Sequence, residues 1–201
     1  VSDLSRRELV AAFAAISAGA ALRPTGVQAT EATRLVRAAT VGGGYAPKIY
    51  TPHEWATVRM LVDYIIPRDE RSGSATDALV PEFMDTMLDL EPNMRTAHRG
   101  GLAWLDHEMR ERTGTDFIAA TDAQRREVLD LVSRPRTAPE SMSHGVQWFN
   151  SFRDLTATGF YTSEIGVNDL GYTGNTAVME WTGCTDEAYR HLGVERGTGG
   201  S

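Results

Sequence analysis

From residue 51 onward the apolar positions recur every three to four residues, the period of a helix that turns one face to a core. Trp55, Val58, Leu61, Val62 and Ile65 form the first stripe. Thr51-Pro52-His53-Glu54 precedes it as a capping box with proline at the first helical position, and Pro67 ends it. A polar loop over 68–76 leads to Val80, Phe83, Met84, Met87 and Leu88, a second stripe closed by Glu91-Pro92. A third helix is predicted from Asn93 to Arg112, with Ala97, Gly101, Trp104, Leu105 and Glu108 on one line and Gly114 as its stop. Glycine inside a helix costs about 1 kcal/mol relative to alanine, so Gly100 and Gly101 predict a close helix crossing. Thr121-Asp122-Ala123-Gln124 is another capping box, followed by Val128, Leu129, Leu131 and Val132. The fifth element, Pro139 to Thr158, carries Val146, Phe149, Phe152 and Leu155 and stops at Gly159. The pattern predicts an all-α fold, a single-domain bundle of about five helices over 51–158.

Beyond that point the periodicity stops. GFYTSEIGVNDLGYTGNTAVMEWTGC places glycines at 159, 166, 171, 174 and 183 among Phe160, Tyr161, Tyr172 and Trp181, with neither a helical nor an alternating period. Long irregular stretches in compact domains are functional or disordered, and disordered tails are poor in aromatics. Residues 159–201 therefore read as an irregular arm and tail, either folded back over its own bundle or with its aromatics seated on another protein.

The N-terminal stretch has two readings. Ser5-Arg6-Arg7-Glu8 fits a capping box that starts an ordinary helix. It is also a twin-arginine pair ahead of AAFAAISAGAAL, an alanine- and glycine-rich run of signal-peptide length. That run falls short of the roughly 18 apolar residues of a membrane span. Val27-Gln28-Ala29 offers small residues where a peptidase would cut before Thr30. The expectation is a twin-arginine signal peptide over 1–29, read through Arg6 and Arg7 by the export machinery, a linker over 30–50, and a folded protein delivered to the periplasm.

Composition narrows the partners. The 201 residues carry a formal charge of −7, which with no visible basic stripe argues against nucleic acid. Lys48 is the one lysine among 20 basic residues, and Cys184 is the one cysteine, so no internal disulfide can form. Gly42-Gly43-Gly44 lacks the spacing of a dinucleotide-binding loop, and there is no C-x-x-C-H for covalent haem. His53, His98, His107, His144 and His191 show no metal-ligand spacing, as surface or capping histidines do. Asp106-His107-Glu108 reads as a solvated helix face. Glu54, Asp63, Asp85 and Asp106 lie on helices built around apolar stripes, where caps and salt links are the expected roles. No catalytic, cofactor-binding or metal-binding residue is assigned.

Four stretches carry a resemblance: TPHEWATVRMLVDYIIPRDE, the VPEFMD helix, RGGLAWLDHEMRERTGTDF, and above all LTATGFYTSEIGVNDLGYTGNTAVMEWTGC. With the twin-arginine start, they resemble the gluconate 2-dehydrogenase subunit 3 family, the small subunits of bacterial flavin-dependent sugar dehydrogenases. The resemblance implies a non-catalytic partner of a large flavoprotein of the glucose-methanol-choline type. That partner would hold FAD, with a cytochrome c subunit carrying haem c as electron acceptor in some complexes. The small subunit would assist maturation of the flavoprotein and carry it through export. The DLGYTGN arm looks closest to members paired with enzymes that oxidise sugars or glycosides. The partner interface then falls on Phe160, Tyr161, Asp169, Gly171, Tyr172, Gly174, Asn175 and Trp181. Cys184, in the same arm, is either half of an intersubunit disulfide or a buried small hydrophobe. The other class of reading is a free-standing helical periplasmic binding or scaffold protein.

Overall fold

The Thr51 capping box forms as its residues require: the Thr51 hydroxyl accepts from the Glu54 amide at 3.2 Å, and the Glu54 carboxylate accepts from the Thr51 amide at 2.8 Å. This cap starts one of eight α-helices in a computed structural model of the chain, which describes residues 24–40, 44–172 and 183–194. They are α1 (Gly26–Thr40), α2 (Pro52–Ile65), α3 (Val80–Leu90), α4 (Pro92–Thr113), α5 (Asp122–Ser133), α6 (Ser143–Tyr161), α7 (Glu164–Asp169) and α8 (Asp186–Leu192). A single 3-10 turn, Glu140–Met142, leads into α6, and no strand occurs among the described residues. Helices α1 to α7 belong to one compact unit ending at Gly171, and α8 belongs to a second that begins at Tyr172.

The centre of the first unit is α3. Every residue from Val80 to Leu88 is buried, polar ones included, because α1, α2, α4 and α6 all pack against it. A helix enclosed on all sides must satisfy its own polar side chains internally, since water cannot. The crossing of α4 with α6 passes through Gly101 and Gly145, where any side chain would collide with an indole of the other helix. The glycines predicted to mark a close crossing thus do so at Gly101.

The structure corrects the sequence reading in three places. The stretch read as signal end and linker contains α1, whose Ala29, Ala32 and Val36 are buried in the core. The expected cut before Thr30 falls inside this helix. Alanine-rich spacing offers little apolar area per residue, so the stripe was quiet in sequence and speaks only through its packing partners. Gly159 does not stop α6, which continues to Tyr161: a Cβ at Gly159 would lie 2.7 Å from the Phe83 ring, so the glycine serves packing rather than a turn. The start of the arm is also helical, since Ser163 caps α7 by accepting from the Gly166 amide at 3.1 Å.

Candidate functional site

The carboxylates of Glu54, Asp63, Asp85 and Asp106 are spent on the fold. Asp85 accepts from the amides of Lys48 at 2.8 Å, Ile49 at 2.9 Å and Tyr50 at 3.3 Å, and from the Tyr45 hydroxyl at 2.8 Å. It therefore straps residues 45–50 across the bundle. Asp63 takes the Thr76 amide at 2.8 Å, and Glu54 adds the Arg99 guanidinium at 2.8 Å to its capping bond. Asp106 accepts from the Phe117 amide at 3.0 Å and pairs with His53 Nε2 at 2.5 Å. Asp106 is buried, which corrects the solvated-face reading. Burial also pushes the Glu82 carboxyl upward, and its Oε2 has no hydrogen-bond partner.

His98 is likewise a core residue rather than a surface one. Its Nε2 lies 2.8 Å from the Tyr50 hydroxyl, and its ring stacks on Phe152 with centroids 5.3 Å apart. Full burial lowers its pKa to about 4, so the ring is neutral at neutral pH and shares one hydrogen bond with the tyrosine hydroxyl. The same burial raises the Tyr50 hydroxyl far above its ordinary range.

The residues expected at a partner interface separate into distinct environments. Phe160 is only 1 % exposed, so it anchors its own bundle and is not a contact for another chain. The physical reason is the continuation of α6, which turns Phe160 onto the core face. Tyr161, one residue on, is 42 % exposed and meets the Phe160 ring edge-on. The Asp169 carboxylate pairs with Arg71 at 3.7 Å, and its carbonyl accepts from the same guanidinium at 3.0 Å. Gly171 adopts φ 63°, a left-handed turn. In the second unit, Tyr172 and Cys184 are exposed, and Thr185 caps α8. Arg6, Arg7, Gly174, Asn175 and Trp181 lie outside the described residues.

Between α1, the turn before α3, and the junction of α6 with α7 lies a cavity of about 340 Å³. Val36, Ala78, Leu79 and Phe83 give it an apolar floor, and Arg37, Asp77 and Glu164 stand at its rim. A smaller recess at Met60, Tyr64 and Arg126 is crossed by the Tyr64 hydroxyl bond to Asp122 at 2.5 Å.

The family model for gluconate 2-dehydrogenase subunit 3 matches residues 52–179, more than half of the chain. The chain belongs to the gluconate 2-dehydrogenase subunit 3 family. Membership makes it an accessory subunit of a dehydrogenase complex, working in association with other subunits. No curated protein and no solved structure matches the chain. The subunit 3 match takes in α2 to α7, whereas α1 lies upstream of it and α8 downstream. One wall of the cavity, from Thr33 to Arg37, is therefore supplied by residues outside the matched stretch. Sequence reasoning missed that wall. The small side chains of Ala29, Ala32 and Val36 make only a faint stripe, and the neighbouring leader-like run led to its reading as linker. No described helix of this family member is long and apolar enough to cross a membrane.

Proposed function

We propose that this chain is the non-catalytic small subunit of an FAD-dependent sugar or glycoside dehydrogenase of the glucose-methanol-choline type, and that it carries the flavoprotein through twin-arginine export to the periplasm. The observation that carries this reading is the subunit 3 match over residues 52–179. The use of Glu54, Asp63, Asp85 and Asp106 as caps and tethers supports it, because each has a structural task already. A carrier must hold its cargo through translocation. That calls for a permanent interface, toward or above about 2,000 Å². The flavin belongs to the large subunit, and haem c, where present, to a cytochrome c subunit. Exposed Tyr161 and Tyr172 are contacts for the flavoprotein, and exposed Cys184 is positioned for a disulfide with it in an oxidising compartment. A non-reducing gel of the complex tests that bridge: one heavy band that splits on reduction is expected, and two bands without reductant would rule it out.

The export role is tested by changing Arg6 and Arg7 together to lysine. Charge is kept, but a receptor-read signal loses the side chains it recognises. Cells expressing both subunits are fractionated and assayed for dye-linked sugar oxidation. Active, flavin-loaded enzyme retained in the cytoplasm is the expected outcome. Active flavoprotein in the periplasm despite both changes would end the carrier role.

A further inference from the structure

The cavity beside α7 has a division of chemistry that points to its occupant. The hydroxyls that line it are already engaged, and one oxygen of the Asp77 carboxylate is too. The Thr33 hydroxyl donates to the Ala29 carbonyl at 2.9 Å and meets the Thr162 hydroxyl at 3.2 Å. The Ser163 hydroxyl donates to the Phe160 carbonyl at 2.6 Å and accepts from the Gly166 amide. Asp77 is held by Arg68 at 2.6 Å and by the Ser74 amide at 2.7 Å, and these bonds draw its carboxyl below its usual range. The floor thus offers no spare hydrogen-bonding group to orient a small polar ligand, which binding pockets for such ligands provide. What remains unspent is at the rim. Arg37 on α1 and Glu164 on α7 are exposed, and their side chains have no hydrogen-bond or ion-pair partner among the described residues.

One wall is also held in place at a cost. Leu79 has φ 60°, a left-handed conformation that is strained for a non-glycine residue. Glycine or asparagine would close this turn more cheaply. The chain keeps a leucine there, and the leucine lines the cavity.

Resting on the reading of the chain as a flavoprotein subunit, we propose that this cavity receives an apolar side chain of the large dehydrogenase subunit, flanked by an acidic group that meets Arg37 and a basic group that meets Glu164. The volume admits a large side chain with room to spare, and an apolar socket ringed by complementary charge is how interface anchors are seated. Charges at such a rim fix orientation and partner choice.

The test uses the full chain co-expressed with its large flavoprotein dehydrogenase subunit. Thr33→Trp places an indole in the cavity, and the double exchange Arg37→Glu with Glu164→Arg keeps net charge while reversing the register. Circular dichroism checks that the bundle is intact; should Thr33→Trp unfold it, the double exchange of exposed residues carries the test. Each change is expected to weaken co-purification about tenfold or more. Unchanged association of both folded variants would overturn the cavity's role while leaving the subunit reading in place. Absence of association by the unaltered chain would overturn both. A homodimer that Thr33→Trp dissolves, with flavoprotein binding unaltered, would assign the cavity to a second copy and overturn the proposal.

Discussion

The indole of Trp148 occupies the space that a side chain at Gly101 would need: a Cβ there would lie 1.9 Å from the ring. The relationship is reciprocal across the α4–α6 crossing, since a Cβ at Gly145 would lie 2.1 Å from Trp104. Trp148 has little room to yield, because it packs on Phe152 with centroids 5.5 Å apart and donates to the His98 carbonyl at 3.2 Å. Gly101→Ala is therefore expected to cost about 1–3 kcal/mol as an overpacking change, read as a lowered thermal midpoint. Pairing it with Trp148→Leu should cost less than the sum of the two single changes. Strict additivity would show that the two residues do not share the space.

His98 makes stability depend on pH. Its pKa is 6.5 when exposed and about 4 in the fold, so the unfolded chain binds the extra proton first as pH falls. The contribution is complete above about pH 6.5 and is lost as pH drops through 4, amounting to about 3 kcal/mol in total. His98→Gln keeps an acceptor for Tyr50 and should flatten the denaturation midpoint between pH 6.5 and 4. An unchanged slope would place the pH dependence elsewhere.

Asp85 holds its strap with an acceptor-only group. Asp85→Asn keeps the shape but offers an amide donor where backbone donors already point, at a cost of about 3 kcal/mol. Hydrogen exchange should show the Lys48 and Ile49 amides losing protection while α5 retains its own. Protection unchanged at both amides would contradict the strap.

Adjacent aromatics at the end of α6 should separate stability from association. Phe160→Ala removes a core ring and is expected to cost about 3–5 kcal/mol in the isolated subunit. Tyr161→Ala, at an exposed site, should shift stability by no more than about 0.5 kcal/mol yet weaken flavoprotein binding. Equal loss of stability in the two variants would mean that Tyr161 is also structural.

The sequence by itself determined the helices whose signals are local. A capping box needs four consecutive residues, and Thr51 and Thr121 form theirs with Glu54 and Gln124 as the pattern requires. The stripes from Trp55 to Leu155 are equally local, because helical period alone sets which residues share a face. The subunit 3 family was legible too, in stretches that fall largely within residues 52–179. Tertiary structure decided what each glycine, histidine and small residue is for. Gly159 looked like a helix stop and is a packing site beneath Phe83, while Gly101 and Gly145 are fixed by indoles more than forty residues away in sequence. His98 is neutral because Tyr50 and Phe152 enclose it. The cavity exists only because α1 docks beside α3 and α6, and the few small apolar residues of α1 say nothing about where it docks. Capping and period act within a few residues, whereas a close crossing, a buried ring and a charged rim depend on distant side chains that only the folded chain brings together.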